Sequence, residues 1–132
     1  ITPHPAEFAR LTGFGVEEIR KNGEEIAEKY AAENGVTVLL KGAAENKSVI
    51  TDGKNTFLNA TGNSGMAKGG SGDVLSGLIA SIAASGAGVF EAACAGAYLA
   101  GKAAEIAVKE TGEYSLTASA EAEKIGAAFL SL

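Results

Sequence analysis

Between Thr61 and Asp73 the chain reads TGNSGMAKGGSGD and then turns apolar, a pattern able to hold an anion at the start of a helix. A helix start leaves about four backbone N–H groups without intrahelical partners, and the macrodipole places roughly half a positive charge there. Gly69, Gly70 and Gly72 let the backbone approach a ligand closely and take up positive φ. Such a start suits a phosphate or the charge of a phosphoryl in transit. Asp73 would be repelled by a bound phosphate unless it accepts a proton or meets a metal, and a general-base role resolves the conflict. The residues alone also allow a flexible Gly-rich turn with Asp73 as an ordinary helix cap. The stretch is not a Walker A loop, because Gly70 precedes Ser71 where that motif needs Gly-Lys-Ser/Thr. Nor does any segment match Gly-x-Gly-x-x-Gly followed by an acidic ribose partner.

Two further places carry candidate chemistry. Lys41-Gly42-Ala43 follows the aliphatic run Val36–Leu40 directly. In open α/β sheets ligands bind off the carboxyl ends of strands, where a Lys reaches a phosphate; the alternative is a solvated Lys before a turn Gly. His4 lies between Pro3 and Pro5, whose fixed φ stiffens the backbone and aims the imidazole, although a lone His also serves as a surface or cap residue. Cys94, inside an Ala-rich stretch, reads as a small core residue. Met66 reads as packing on the loop or on a ligand ring.

The elements that must position these residues follow from periodicity. Pro5 suits the first turn of a helix reaching about Leu11, with Gly13 and Gly15 breaking it. Val16, Ile19, Gly23, Ile26, Ala27 and Tyr30 recur at helical spacing, and Asn34-Gly35 supplies a C-terminal cap. Val36–Leu40 reads as a buried strand, and 47–51 and 55–59 as strands joined around Asp52-Gly53. After the Gly-rich loop, Val74, Leu75, Leu78, Ile79 and Ile82 predict a helix closing near Gly86. A second spans 89–108, apolar nearly all round, and a third spans 118–132, with Ile125, Ala128, Phe129 and Leu132 on one stripe. Helix, strand, hairpin and then helices fit the C-terminal part of an α/β sandwich.

Composition bounds the function. The chain holds 132 residues with a formal charge of -5, 46% apolar and 20% charged, values of a globular domain rather than a disordered one. That charge lacks the basic stripe nucleic acid demands, and no apolar run reaches the ~18 residues of a membrane span. One Cys excludes an internal disulfide, and with no secretory signal at the start the cytoplasm is the expected compartment. Ile1 in place of Met, with Thr2-Pro3 at once after it, suggests a start inside a fold.

Thr2-Pro3-His4-Pro5-Ala6-Glu7-Phe8, Val38-Leu39-Leu40-Lys41-Gly42-Ala43, Gly62-Asn63-Ser64-Gly65-Met66-Ala67 and Gly69-Gly70-Ser71-Gly72-Asp73-Val74-Leu75 occur in that order. With these motifs the sequence resembles the ADP/ATP-dependent NAD(P)H-hydrate dehydratases, a ribokinase-like family also described as carbohydrate kinases. The resemblance implies that residues 1–132 form a single domain, the C-terminal half of a ribokinase-like three-layer α/β/α sandwich, in a homo-oligomeric full-length protein. It implies repair of hydrated NADH or NADPH at the expense of ADP or ATP: the ring hydroxyl is phosphorylated and phosphate is then eliminated. By position, His4 would contact the hydrated dinucleotide, and Lys41, Gly42, Ala43, Ala44, Glu45 and Gly72 the adenine nucleotide. Asp73 would approach the substrate hydroxyl as base, with Gly70, Ser71 and Gly72 stabilising the transferred phosphoryl; Mg2+ would bridge the phosphates. Ala6 stands where the family has Gly, Glu45 where Thr is common, and Lys68 where it has a small hydroxyl residue. A related kinase acting on a sugar or vitamin-precursor hydroxyl is the alternative enzyme, and an inert nucleotide-binding or assembly domain the alternative of another class.

Overall fold

The computed structural model describes residues 1–43 and 47–132, which fall into two compact units, 1–60 and 61–132. In the first unit His4 ends an extended segment and caps helix α1 (Pro5–Thr12), with Pro5 at its first position as the sequence predicts. Gly13 closes α1 in the left-handed region at φ 79°, its N–H bonded to the Ala9 carbonyl. Helix α2 (Val16–Asn34) ends the same way at Gly35, φ 62°. Asn22 departs from helical geometry, kinking α2 just before Gly23. A Cβ on Gly23 would sit 2.9 Å from Leu40 Cδ2, so the kinked turn lies directly on the sheet.

The sheet is three-stranded and antiparallel in the order β1 (Val38–Ala43), β2 (Lys47–Thr51), β3 (Thr56–Asn59). Strand β1 starts later than the sequence predicts, because the Val36 N–H still bonds to Ala31 at the end of α2. It also runs further, so Lys41, Gly42 and Ala43 lie within the strand rather than after it. There the pairing slips between Leu40 and Ala43, and Gly42 takes φ 58° at the irregularity. The extended residues 1–3 run parallel beside β1: the Leu39 N–H donates to Ile1 O (2.8 Å) and the Lys41 N–H to Pro3 O (2.9 Å). The hairpin turn is organised by Asp52, whose carboxylate accepts from the N–H groups of Lys54 and Asn55, and these bonds hold its pKa below the usual value. Phe8, Ile19, Ile26, Ala27, Ala31, Val38, Leu40, Ala43 and Val49 form one buried cluster, with Tyr30 set edge-on to Phe8.

The second unit packs α3 (Ser71–Ala84) on α4 (Val89–Thr111). The two backbones approach so closely that a Cβ on Gly96 would lie 3.4 Å from Ile79 Cα, which explains the small residues along α4. Ala104, Ala107 and Leu116 form a second cluster with Met66 packed against it, so that side chain serves the protein's own packing. The single late helix expected from the sequence is instead two short ones, α5 (Ala118–Glu123) and α6 (Ile125–Phe129). At the break the Lys124 N–H makes a tight bond back to Glu121 O, and its ammonium is tied to Glu110 of α4 at 2.7 Å. Of the predicted apolar stripe Ala128 is buried, whereas Phe129 and Leu132 are exposed. Among the described residues no helix is long and apolar enough to cross a membrane.

Candidate functional site

The candidate residues divide between the units, with His4, Lys41, Gly42 and Ala43 in the first and Gly70, Ser71, Gly72 and Asp73 in the second. Ala44 and Glu45 lie outside the described residues.

In the first unit the structure brings His4 and Lys41 side by side, because the Lys41 N–H bonds to Pro3, the residue before His4. The His4 backbone N–H donates to Glu7 Oε2 (2.7 Å) and Nδ1 accepts from the Glu7 N–H (3.2 Å), a reciprocal capping box. With Nδ1 accepting, the neutral ring carries its proton on Nε2, which lies 3.5 Å from Glu7 Oε1. His4 is therefore a helix cap, as its alternative reading had it, with an exposed ring edge. Glu7 is held below the usual carboxylate range, first by the His4 N–H and then by the charges of His4, Lys41 and Arg10. Lys41 thus lends positive potential at the His4 end of the strand. Ala43 is buried in the core and offers a ligand its backbone only.

In the second unit Gly70 precedes α3 at φ 94° with no side chain capping the helix start. A Cβ there would sit 2.8 Å from Ala118 Cβ, so both conformation and space require glycine. The N–H groups of Asp73 and Val74 both donate to Gly70 O at 3.1 Å. Those of Ser71 and Gly72 have no protein acceptor among the described residues, an arrangement able to receive an anion. Asp73, in the first turn, is exposed and makes no hydrogen bond or ion pair among the described residues. The Ser71 side chain points the other way. It is buried, donating to Glu121 Oε2 (2.9 Å) and accepting from Lys68 Nζ (3.1 Å).

Lys68 is half-buried and its ammonium is turned onto the protein. It also donates to Gly65 O (3.0 Å) and lies 3.7 Å from Glu121 Oε2. The loop as a whole is tethered rather than flexible. The Gly62 N–H donates to Glu105 Oε1 (3.0 Å), Thr61 Oγ1 to Tyr98 O (3.0 Å), Gly65 N–H to Asn63 Oδ1 (3.0 Å), and Ser64 Oγ to Glu113. A 3₁₀ turn at Ser64–Met66 occupies its middle. Burial pushes the Glu105 carboxyl up, but the Lys102 hydrogen bond and the Gly62 N–H outweigh it and leave it below the ordinary range.

Glu121 is the residue that sequence reasoning missed. Its side chain is fully buried, and Oε1 has no partner among the described residues. Burial raises its pKa, and the Ser71 hydroxyl and Lys68 charge oppose the rise without cancelling it. The folded chain therefore holds this proton more tightly than the unfolded chain. The stabilisation from that proton is full below about pH 4.5 and is lost as pH rises through the folded value. Chemical denaturation across about pH 4 to 8 should show wild type losing stability relative to Glu121→Gln as pH increases; parallel curves would contradict the raised pKa.

Known proteins are similar to the chain over most of its length. The family model described as NAD(P)H-hydrate dehydratase matches residues 1–126. The chain belongs to the NAD(P)H-hydrate dehydratase family. Within it, the chain is 46% identical over 111 residues to the ADP-dependent (S)-NAD(P)H-hydrate dehydratase of Neisseria meningitidis serogroup B, covering 84% of this chain and 36% of that protein. It is 39% identical over 120 residues to the Bacillus subtilis protein of the same name, covering 89% and 42%. A crystal structure of the B. subtilis ADP/ATP-dependent enzyme, co-crystallised with ATP and Mg2+, superposes with a TM-score of 0.90 at 34% identity, covering 98% of this chain and 46% of that one. A ribokinase-like superfamily protein from Enterococcus faecalis gives a TM-score of 0.78 at 29% identity, covering 98% and 43%. The fold is thus a portion of the ribokinase-like α/β architecture. The chain spans well under half the length of these curated relatives and just under half that of the solved structures.

Proposed function

We propose that the protein to which this chain belongs repairs hydrated NADH and NADPH, spending ADP or ATP to remove water from the damaged nicotinamide ring. The observation that carries this reading is the start of α3, where two amides and a carboxylate without partners among the described residues stand within one helical turn. Family membership favours dehydration over phosphorylation of a sugar hydroxyl.

Asp73 would accept the proton of the ring hydroxyl as its oxygen attacks the terminal phosphoryl of the nucleotide, and the nucleotide leaves one phosphate shorter. The Ser71 and Gly72 amides would hold the oxygens of that phosphoryl, on which negative charge concentrates. The carbon–oxygen bond then breaks, phosphate departs, a neighbouring ring proton is lost and the double bond is restored. His4 would contact the dinucleotide, while Lys41, Gly42, Ala43, Ala44, Glu45 and Gly72 would bind the adenine nucleotide. Among the described residues no three His, Cys, Asp or Glu side chains gather to hold a metal. That suits Mg2+ arriving on the nucleotide, since this ion is commonly bound through substrate phosphates with few protein ligands. When bound it would neutralise phosphate charge. The same reading places the protein in the cytoplasm as a homo-oligomer, which light scattering on the purified protein checks.

Incubating the intact protein with hydrated NADH should restore NADH absorbance only when ADP or ATP is present. Recovery without nucleotide, or none with it, overturns the reading.

A further inference from the structure

The Lys68, Ser71 and Glu121 side chains form a linked triad at the start of α3, with Ser71 and Glu121 buried and Lys68 partly so. Its geometry joins both ends of a short loop to a distant helix. Lys68 Nζ binds Gly65 O and Ser71 Oγ, while Glu121 of α5 binds Ser71 Oγ from beneath. Ser71 is the first residue of α3, and its own backbone N–H is one of the two open amides. Ala118 of the same α5 presses on Gly70. Any movement of Glu121 is therefore passed to the first turn of α3 through a hydrogen bond and a packing contact.

We propose that Lys68 and Glu121 act as a latch, a pair of positioning residues that fix where the Ser71 and Gly72 amides meet the transferred phosphoryl. This rests on the function proposed above. An apolar pair of similar volume would fill the same space without an ion pair, and buried ion pairs often gain little stability over such replacements. Glu121 Oε1 has no partner among the described residues, so the pair leaves a buried oxygen unsatisfied, a cost to stability. What the charges add is direction, since they orient the Ser71 hydroxyl and with it the helix start.

The test separates stability from positioning. Lys68→Met, Glu121→Leu and the double variant are made in the intact protein. Each single change strands one partner of the pair and lowers the thermal midpoint, while the double variant regains most of that loss. In the double variant, amide hydrogen exchange at 65–73 should still quicken at least tenfold. Turnover should fall at least tenfold, with KM for the nucleotide within threefold of wild type, because the amides act on the phosphoryl in transit. A thermally restored double variant with wild-type exchange in this stretch, or with wild-type turnover, overturns the latch. Should the wild-type protein dehydrate nothing, the proposed function falls and exchange alone still decides whether the pair holds the loop.

Discussion

Replacing Asp73 with Asn lowers turnover of hydrated NADH by roughly two or more orders of magnitude and leaves nucleotide affinity within a few-fold. The substitution removes a proton acceptor and keeps size and shape. Its structural consequence is small, because Asp73 is exposed and holds no hydrogen bond or ion pair among the described residues. The one stabilising role visible is its charge in the first turn of α3, worth about 0.3–1 kcal/mol at a helix N-terminus. A small fall in the thermal midpoint with a large fall in kcat therefore marks a base. Equal nucleotide affinity in the two proteins, measured by calorimetry with ADP, separates a lost base from a damaged site. Turnover at the wild-type level would reduce Asp73 to a helix-end charge and remove the proton-transfer step from the mechanism.

The local part of this architecture is legible in the sequence because its causes are local. Gly13 and Gly35 end helices where their left-handed φ requires, and Pro5 and Asp52 mark a helix start and a turn. The helix start of the candidate anion site is legible for the same reason, since its glycines and its carboxylate lie within one short stretch. What holds that stretch in place is not. Gly62 is tied to Glu105 across 43 residues and Ser71 to Glu121 across 50. A Glu in the pattern AEAEK looks like any solvated helix face until tertiary packing buries it. Lys68 stands where the resemblance implies a small hydroxyl residue, a local signal, but its partner is a helix away. Strand β1 overran its predicted end because its pairing with β2 resumes at Ala43 beyond the irregularity at Lys41 and Gly42, which apolar periodicity does not record. The late helix broke at Lys124, where its tie to α4 competes with helix continuation.

Replacing Gly101 with Ala destabilises the second unit by about 2–3 kcal/mol, an effect opposite in sign to the gain Ala ordinarily brings inside a helix. Gly101 lies in the interior of α4, where Ala is favoured over Gly by roughly 0.5–1 kcal/mol. Its missing side chain is where Thr61 sits. A Cβ would overlap the Thr61 hydroxyl and stand 2.6 Å from the Thr61 carbonyl carbon, and backbone cannot swing aside as a long side chain does. Relief requires shifting Thr61, which strains its hydrogen bond to Tyr98 O and the adjoining Gly62 bond to Glu105. Those two bonds set the entry to the anion loop, so turnover falls as well; a displacement of about 1 Å can cost on the order of a hundredfold. Gly88→Ala is the matched control. The added methyl there meets only the Glu91 carboxylate, the free end of a flexible exposed side chain, at a helix-capping position where the change costs less than about 1 kcal/mol. Thermal unfolding of the two variants beside wild type should separate them by several degrees. If Gly101→Ala instead raised the midpoint, the close approach of Thr61 to α4, and the tethering of the loop that follows from it, would be wrong.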